Sequence, residues 1–489
     1  LGPRQYYGKT RNNLHRPLWR QTQSKQVFSV NLKESHMVEL KPISIPDFGV
    51  PLARPVISGS TYAQRCDDAV ARAGTDWLFV YADREHNANV LHLCGFDPRF
   101  EEAVLLLGKG GQRIILAGNE SLSFSTLSPL PNLQGQLVQT FSLMGQDRTE
   151  RPSLEAVLTE AGIKKGDTIG LVGWKYLGAE EWHADEIGYV LPHYMVNLLA
   201  RLTGGLEQLS DQTALLMHPT DGQRAVVDAD QIALFEWAST RASAAVWRLV
   251  TGAQPGDSEL LAASRMGYAG EPLSAHLMFS TFAEDGNIHG LASPTHRILT
   301  KGKGVTTAVG YWGGLSSRAG LLDTANDAFL AVTKSYFKGL VKWYETTDIG
   351  VAGGDIHTAV VETLAEGGLR SMLNPGHLVH FDEWMHSPIR PGSSETMRSG
   401  MPVQVDIIPT PMPTHCALNC EDAIALADAD LRAELAQKHP ETWARITARQ
   451  TFMREQLGVA VKDSILPLSN IPLCLPPFWL DSSKLLVQS

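Results

Sequence analysis

The strongest constraint on this chain comes from short segments that have no polar face. WLFVYA (77–82), AVLLLG (103–108) and RIILAG (113–118) are too short for core helices and apolar at successive positions. Strands of that kind have to be covered on both sides. The cover is at hand in YAQRCDDAVARAG from Tyr62 and in LEAVLTEAG, whose Gly162 can stop a helix. TIGLVGW (168–174) adds another buried strand. This order predicts a layered α/β domain over about residues 50–205.

The pattern changes further on. Residues 228–255 and 257–283 read as long helices, and HGLASPTHRIL then leads into GKGVTTAVGYWGG. Gly302, Gly304, Gly310, Gly313 and Gly314 match no nucleotide-binding spacing and are read as permitting tight bends. Helix is expected again over 321–345, from Gly354 or Asp355 onward, and in RAELAQKHPETWARITARQTFMREQLG. MPVQVDIIPTP and the stretch around NCEDAIALAD alternate like strands. Helices on one side of a curved antiparallel or mixed sheet account for this order.

Composition removes several function classes. The 42 basic and 52 acidic residues leave a formal charge of -10, which disfavours a general affinity for nucleic acid. Five cysteines are few and odd in number, as in reduced thiols rather than a disulfide framework. Cys416 and Cys420 lack a second close cysteine pair and make a weak zinc signal. No run approaches a membrane span and the opening has no apolar secretory segment, so a cytoplasmic protein without a membrane partner is expected. The first 36 residues are basic and polar, and Ser35-His36-Met37 resembles a vector scar. Residues 1–49 are accordingly expected to be a leader or vector-derived extension.

The densest chemistry is in NPGHLVHFDEWMHSP, which places His377, His380, Asp382, Glu383 and His386 within ten positions. Imidazoles so placed can bind a metal or transfer protons, or can sit on a polar loop satisfied by backbone carbonyls. Asp406 in PVQVDIIPTP and Glu421 in NCEDAIALAD are carboxylates inside apolar strands, where burial has to be offset by a cation, a metal or hydrogen bonds. With His377 they could form a two-carboxylate, one-imidazole metal site, or they could bind arginines or cap loops. His289, in GNIHGLASPTHRIL, is an acid/base candidate or a loop-orienting residue.

At these residues the chain resembles the creatinase/aminopeptidase P/methionine aminopeptidase (M24) family, over roughly Val50 to Ser489. The resemblance implies an α/β amino-terminal domain followed by an α+β pita-bread domain. The first, with linker helices, would occupy 50–255 and the second, catalytic-like, 256–489. His289 looks like the family histidine near the substrate. NPGH places His377 at the metal-binding histidine, MHSP places His386 at the second active-site histidine, and Glu421 matches the final metal-binding Glu. Asp406 falls where the metallopeptidases have Glu. Two further aspartates of those enzymes align with Ala308 and Leu315, neither of which can hold a metal.

An ordinary two-metal peptidase centre is therefore not expected. The expected cofactor is none or one divalent metal ion, held in the single-metal case by His377, Asp406 and Glu421. Creatinase, which has this architecture without a metal, implies catalytic roles for His289, His377 and His386 and substrate binding by Asp406 and Glu421. It also implies a homodimer in which Phe96 and Arg99 approach the other subunit's pocket. Arg318 would bind a substrate carboxylate, or pair with a core carboxylate instead. The function expected is hydrolysis of a C–N bond in a small amidine, amide or peptide-like substrate. The alternatives are an atypical single-metal Xaa-Pro peptidase or lyase, and a catalytically silent scaffold.

Overall fold

The three apolar segments become neighbouring strands of one sheet, as their two-sided burial requires. In the computed structural model, which describes residues 37–149, 153–178, 180–183, 186–283 and 286–489, this sheet has six strands. Its spatial order is Gln134–Leu137, Arg113–Ala117, Ala103–Gly108, Trp77–Ala82, Ile169–Val172 and Leu209–Asp211. Parallel pairs flank a central antiparallel trio. Helices Gly59–Ala73 and Ala88–Cys94 lie in a core with one set of side chains, while Leu154–Ala161 and His193–Thr203 belong to a second apolar cluster with the alternate set. Ser58 and Ser153 cap two of these helices with their side-chain oxygens.

The helix Ala229–Gly252, read from the sequence over 228–255, leads into the second half. The expected helix over 257–283 does not form. It is reduced to Glu259–Ser264, and the chain returns as the strand Met278–Thr281. Gly267 at φ 66°, Gly270 at φ 97° and Pro272 interrupt the apolar spacing that suggested helix.

The second sheet holds seven strands in the order His377–Leu378, Pro402–Val405, Asn419–Leu426, Gly314–Leu321, Gly304–Tyr311 and Met278–Thr281, with Ile465–Pro467 also paired to Asn419–Leu426. All pairs are antiparallel. The glycine-rich stretch read as bends thus forms two eight-residue strands and the turn between them. Gly314 serves a close approach, since a Cβ there would lie 2.0 Å from Ser239 Oγ on the Ala229–Gly252 helix. Helix Asp327–Thr346 covers the same face, where the Tyr336 hydroxyl accepts from Cys420 N–H and donates to the Ile407 carbonyl. The opposite face is left for the site.

From Val38 to Ser489 the chain forms one compact unit. Val38–Pro42, within the stretch expected as an extension, pairs antiparallel with Lys484–Gln488, so backbone hydrogen bonding ties residues 38–42 to the carboxy-terminal strand. Ser35 and His36, read as part of a vector scar, lie outside the described residues. Among the described residues, no helix is long and apolar enough to cross a membrane.

Candidate active site

Strand alternation puts a single row of side chains on the open face. Ala308 opposes Ser317 and Met278, and Ser317 opposes Glu421. One rung along, Gln404 opposes both His377 and Ala423. Small Ala423 lets the Gln404 amide reach across and donate to the Leu315 carbonyl at 3.0 Å. One end of the face is therefore ionisable, with His377, Asp406 and Glu421, and the other is apolar, with Met278, Ala308 and Leu315 in a small cluster of their own.

His377 is the centre of the ionisable end. Its Nε2 lies 3.2 Å from Glu383 Oε1 and 3.8 Å from Glu421 Oε1, and its ring stacks on Trp384 at 4.1 Å. The three side chains offer ligand atoms all within 4.8 Å of one another. Despite these distances, His377 Nε2 and Glu421 Oε1 make no aligned hydrogen bond, and neither does Asp406 Oδ1. The contacts are thus charge contacts between the imidazole and the carboxylates, and each buried polar atom left without a hydrogen bond costs about 1–3 kcal/mol.

Charge here follows burial. Desolvation pushes the His377 imidazolium down, but Glu383 and Glu421 overcome it and raise the group to about 10. Burial raises Asp406, and burial reinforced by Asp406 raises Glu421 well above the carboxylate range. Repulsion among carboxylates and a shortage of cations are what an added cation would relieve.

His386 is held beside this cluster by pairing with Leu378. Its Nδ1 accepts from Ser387 N–H at 2.9 Å, which leaves Nε2 to carry the proton and donate to the Tyr176 hydroxyl at 3.0 Å. Burial lowers its pKa, so the ring is neutral.

Several sequence expectations change. The three side chains whose ligand atoms converge are His377, Glu383 and Glu421, and Asp406, expected in that set, is a buried carboxylate that acts on His377 through its charge. Arg318 does not face the site. It is fully buried on the helix-covered face, paired with Asp422 at 2.8 Å and donating to the carbonyls of Cys474, Ser317, Glu421 and Ile471, so it has no donor for a substrate carboxylate. Phe96 is 1% exposed in the core of the amino-terminal half and cannot extend into another subunit. Arg99 is bonded to Asp97 at 3.0 Å and stays half-exposed. His289 is exposed after the Met278–Thr281 strand, where its carbonyl accepts from Ser280; its ring is outside the cluster. Ala308 and Leu315 lie buried where metal-binding aspartates were sought. Tyr176 and Trp384 were not foreseen, and Glu383 was visible only as one member of the histidine-rich segment.

Among the described residues, His377, Glu383 and Glu421 form a group that could hold a divalent ion. A carboxylate–imidazole set with orphaned buried atoms suits a single ion, whereas the apolar end offers no side-chain ligand for a second.

No protein-family model matches the chain, and no curated protein matches it. Solved structures do. A prolidase from Pyrococcus horikoshii OT3 superposes with a TM-score of 0.56 at 14% identity, covering 75% of this chain and 95% of that one. Dipeptidase PepE from Mycobacterium ulcerans gives 0.55 at 18%, covering 76% and 94%, and aminopeptidase PepP from Pseudomonas aeruginosa gives 0.54 at 14%, covering 81% and 99%. The fold is that of the prolidases and aminopeptidase P, an amino-terminal α/β domain followed by a pita-bread domain. At these identities the likeness establishes architecture, and chemistry has to be argued from the site.

Proposed function

We propose that this protein is a hydrolase that cleaves a C–N bond of a small amide, amidine or peptide-like substrate, in a site built for one divalent ion held by His377, Glu383 and Glu421. The observation that carries this reading is the convergence of His377 Nε2 and Glu421 Oε1, both buried and without a hydrogen bond, with the Glu383 carboxylate. When bound, such an ion polarises the scissile group and lowers the pKa of water. Around it, Trp384 covers one face of His377, and His386 holds a proton on Nε2 towards Tyr176. Without the ion, burial raises the Asp406 carboxyl to about 7, and a bound cation would favour its ionised form.

A second reading has its own support. Glu383, Asp406 and Glu421 outnumber the one imidazole, so a cationic amidinium could fill the same place without a metal. Elemental mass spectrometry of the purified protein, with turnover of dipeptides, amides and amidines before and after chelation, decides. About one ion per chain and activity lost on chelation are expected. Two ions overturn the one-ion site, chelation-resistant turnover selects the second reading, and no turnover on any class selects a silent scaffold. The proposal includes a homodimer, tested by sedimentation, and a cytoplasmic location, with which five free cysteines agree.

A further inference from the structure

The segment Leu378–His386 is a hairpin whose tip side chains point two ways. Leu378 N–H bonds the His386 carbonyl at 2.7 Å, Met385 N–H bonds the Leu378 carbonyl at 3.0 Å, and His380 N–H bonds the Asp382 carbonyl at 3.0 Å. His380 sits edge-on to His92 at 5.1 Å and to Phe235 at 5.2 Å, and Asp382 forms an ion pair with Arg224. Both contacts are made with the amino-terminal half and the linker that follows it. The next two residues turn back, Glu383 to His377 Nε2 and Trp384 onto the same imidazole.

Arg224 is the fixed point of this arrangement. Its side chain is 0% exposed, and its Nη1 donates to Asn89 Oδ1 at 2.7 Å on the Ala88–Cys94 helix. A buried guanidinium fixes a carboxylate in direction as well as distance. One cation thereby ties a helix of the amino-terminal half to the residue that precedes Glu383.

Resting on the one-ion reading above, we propose that Arg224, acting through Asp382, is the positioning residue for Glu383, so that the ion site is completed by docking of the amino-terminal half on the hairpin tip. Removing a partner of this kind typically weakens metal binding about 10- to 100-fold. A purely structural role would not make that loss depend on Glu383.

The test is Mn2+ binding to the full chain by calorimetry, for the wild type, Asp382→Ala, Glu383→Gln and the double variant. Asp382→Ala is expected to raise the Kd about 10- to 100-fold, and the double variant to bind no more weakly than Glu383→Gln alone. Should Asp382→Ala fail to fold by circular dichroism, Arg224→Lys, which keeps the charge and loses the fork, takes its place in the same cycle. Wild-type affinity in the Asp382 or Arg224 variant, or losses that multiply in the double variant, overturns the proposal alone. A wild type that binds no Mn2+ overturns the one-ion reading, and this proposal with it.

Discussion

Glu421 and Asp422 are consecutive on one strand, 5% and 2% exposed, and point to opposite faces of the sheet. Asp422 faces the helices and meets a guanidinium: its Oδ2 accepts from Arg318 and from Leu473 N–H, both at 2.8 Å, while Oδ1 makes no hydrogen bond. Burial raises Asp422 above its ordinary value, but Arg318 opposes that shift and is itself held more strongly charged by this contact, and we take the pair as ionised. Glu421 faces the open side and meets one imidazole at 3.8 Å together with further carboxylates. Equal burial with unequal countercharge separates a carboxylate that holds the fold together from one that awaits a cation.

The largest effect expected from breaking this contrast falls on the structural side. Arg318→Met leaves Asp422 buried beside no cation, which costs about 3–5 kcal/mol. Urea denaturation of the variant should show its midpoint far below that of the wild type, and an unchanged midpoint would remove the distinction between the two faces. Next in size is the apolar end of the open face. Leu315→Ala should cost about 2–5 kcal/mol as a cavity, with the ion content per chain unaltered, because Leu315 holds no ligand position. Loss of the ion in that variant would show that the two ends of the face are not independent.

How much of this was legible in the sequence depends on how far each cause acts along the chain. WLFVYA and AVLLLG declare their burial within six residues, and Asp406 and Glu421 are conspicuous as carboxylates in apolar strands. His377 was readable from the histidine-rich segment. For Arg318 the alternative of a core carboxylate holds and the substrate role does not, and sequence left the two open because Asp422 is 104 residues away and becomes adjacent only through strand register. Tyr176 approaches His386 across 210 residues and between the two halves, a pairing no local pattern carries. Glu383 acquires its role from a hairpin whose tip is docked elsewhere, so composition showed the residue and not its direction. The failed helix over 257–283 is a different case: its glycines and proline were in view, and apolar spacing was given more weight than they were.

On the functional side of the contrast, Glu421→Gln should leave the metal-free protein at least as stable as the wild type near neutral pH, since the variant has no buried carboxylate to ionise there. Calorimetry should nevertheless find Mn2+ binding reduced at least about 10-fold, because a carboxylate ligand is gone. Retained wild-type affinity would place the ion elsewhere.

The smallest effect, a shift in melting temperature with pH, distinguishes the two carboxylates most finely. In the metal-free protein, Glu421 is raised above its unfolded value by burial. A group that binds its proton more tightly when folded contributes stability that is fully present below the unfolded pKa, about 4.3 for Glu, and is lost as pH rises through the folded one. His377, raised to about 10, acts in the same direction from about pH 6.5 upward, because folding holds its proton too. Comparing wild type with Glu421→Gln under chelation removes contributions common to both. The two should melt together near pH 4, and the wild type should fall progressively below the variant towards pH 8. Added Mn2+ should reverse that order at pH 8, because ion binding requires the ligands deprotonated and stabilises only the chain that binds it. A wild type that gains on the variant with rising pH in the absence of metal would mean that Glu421 already has its countercharge, as Asp422 does.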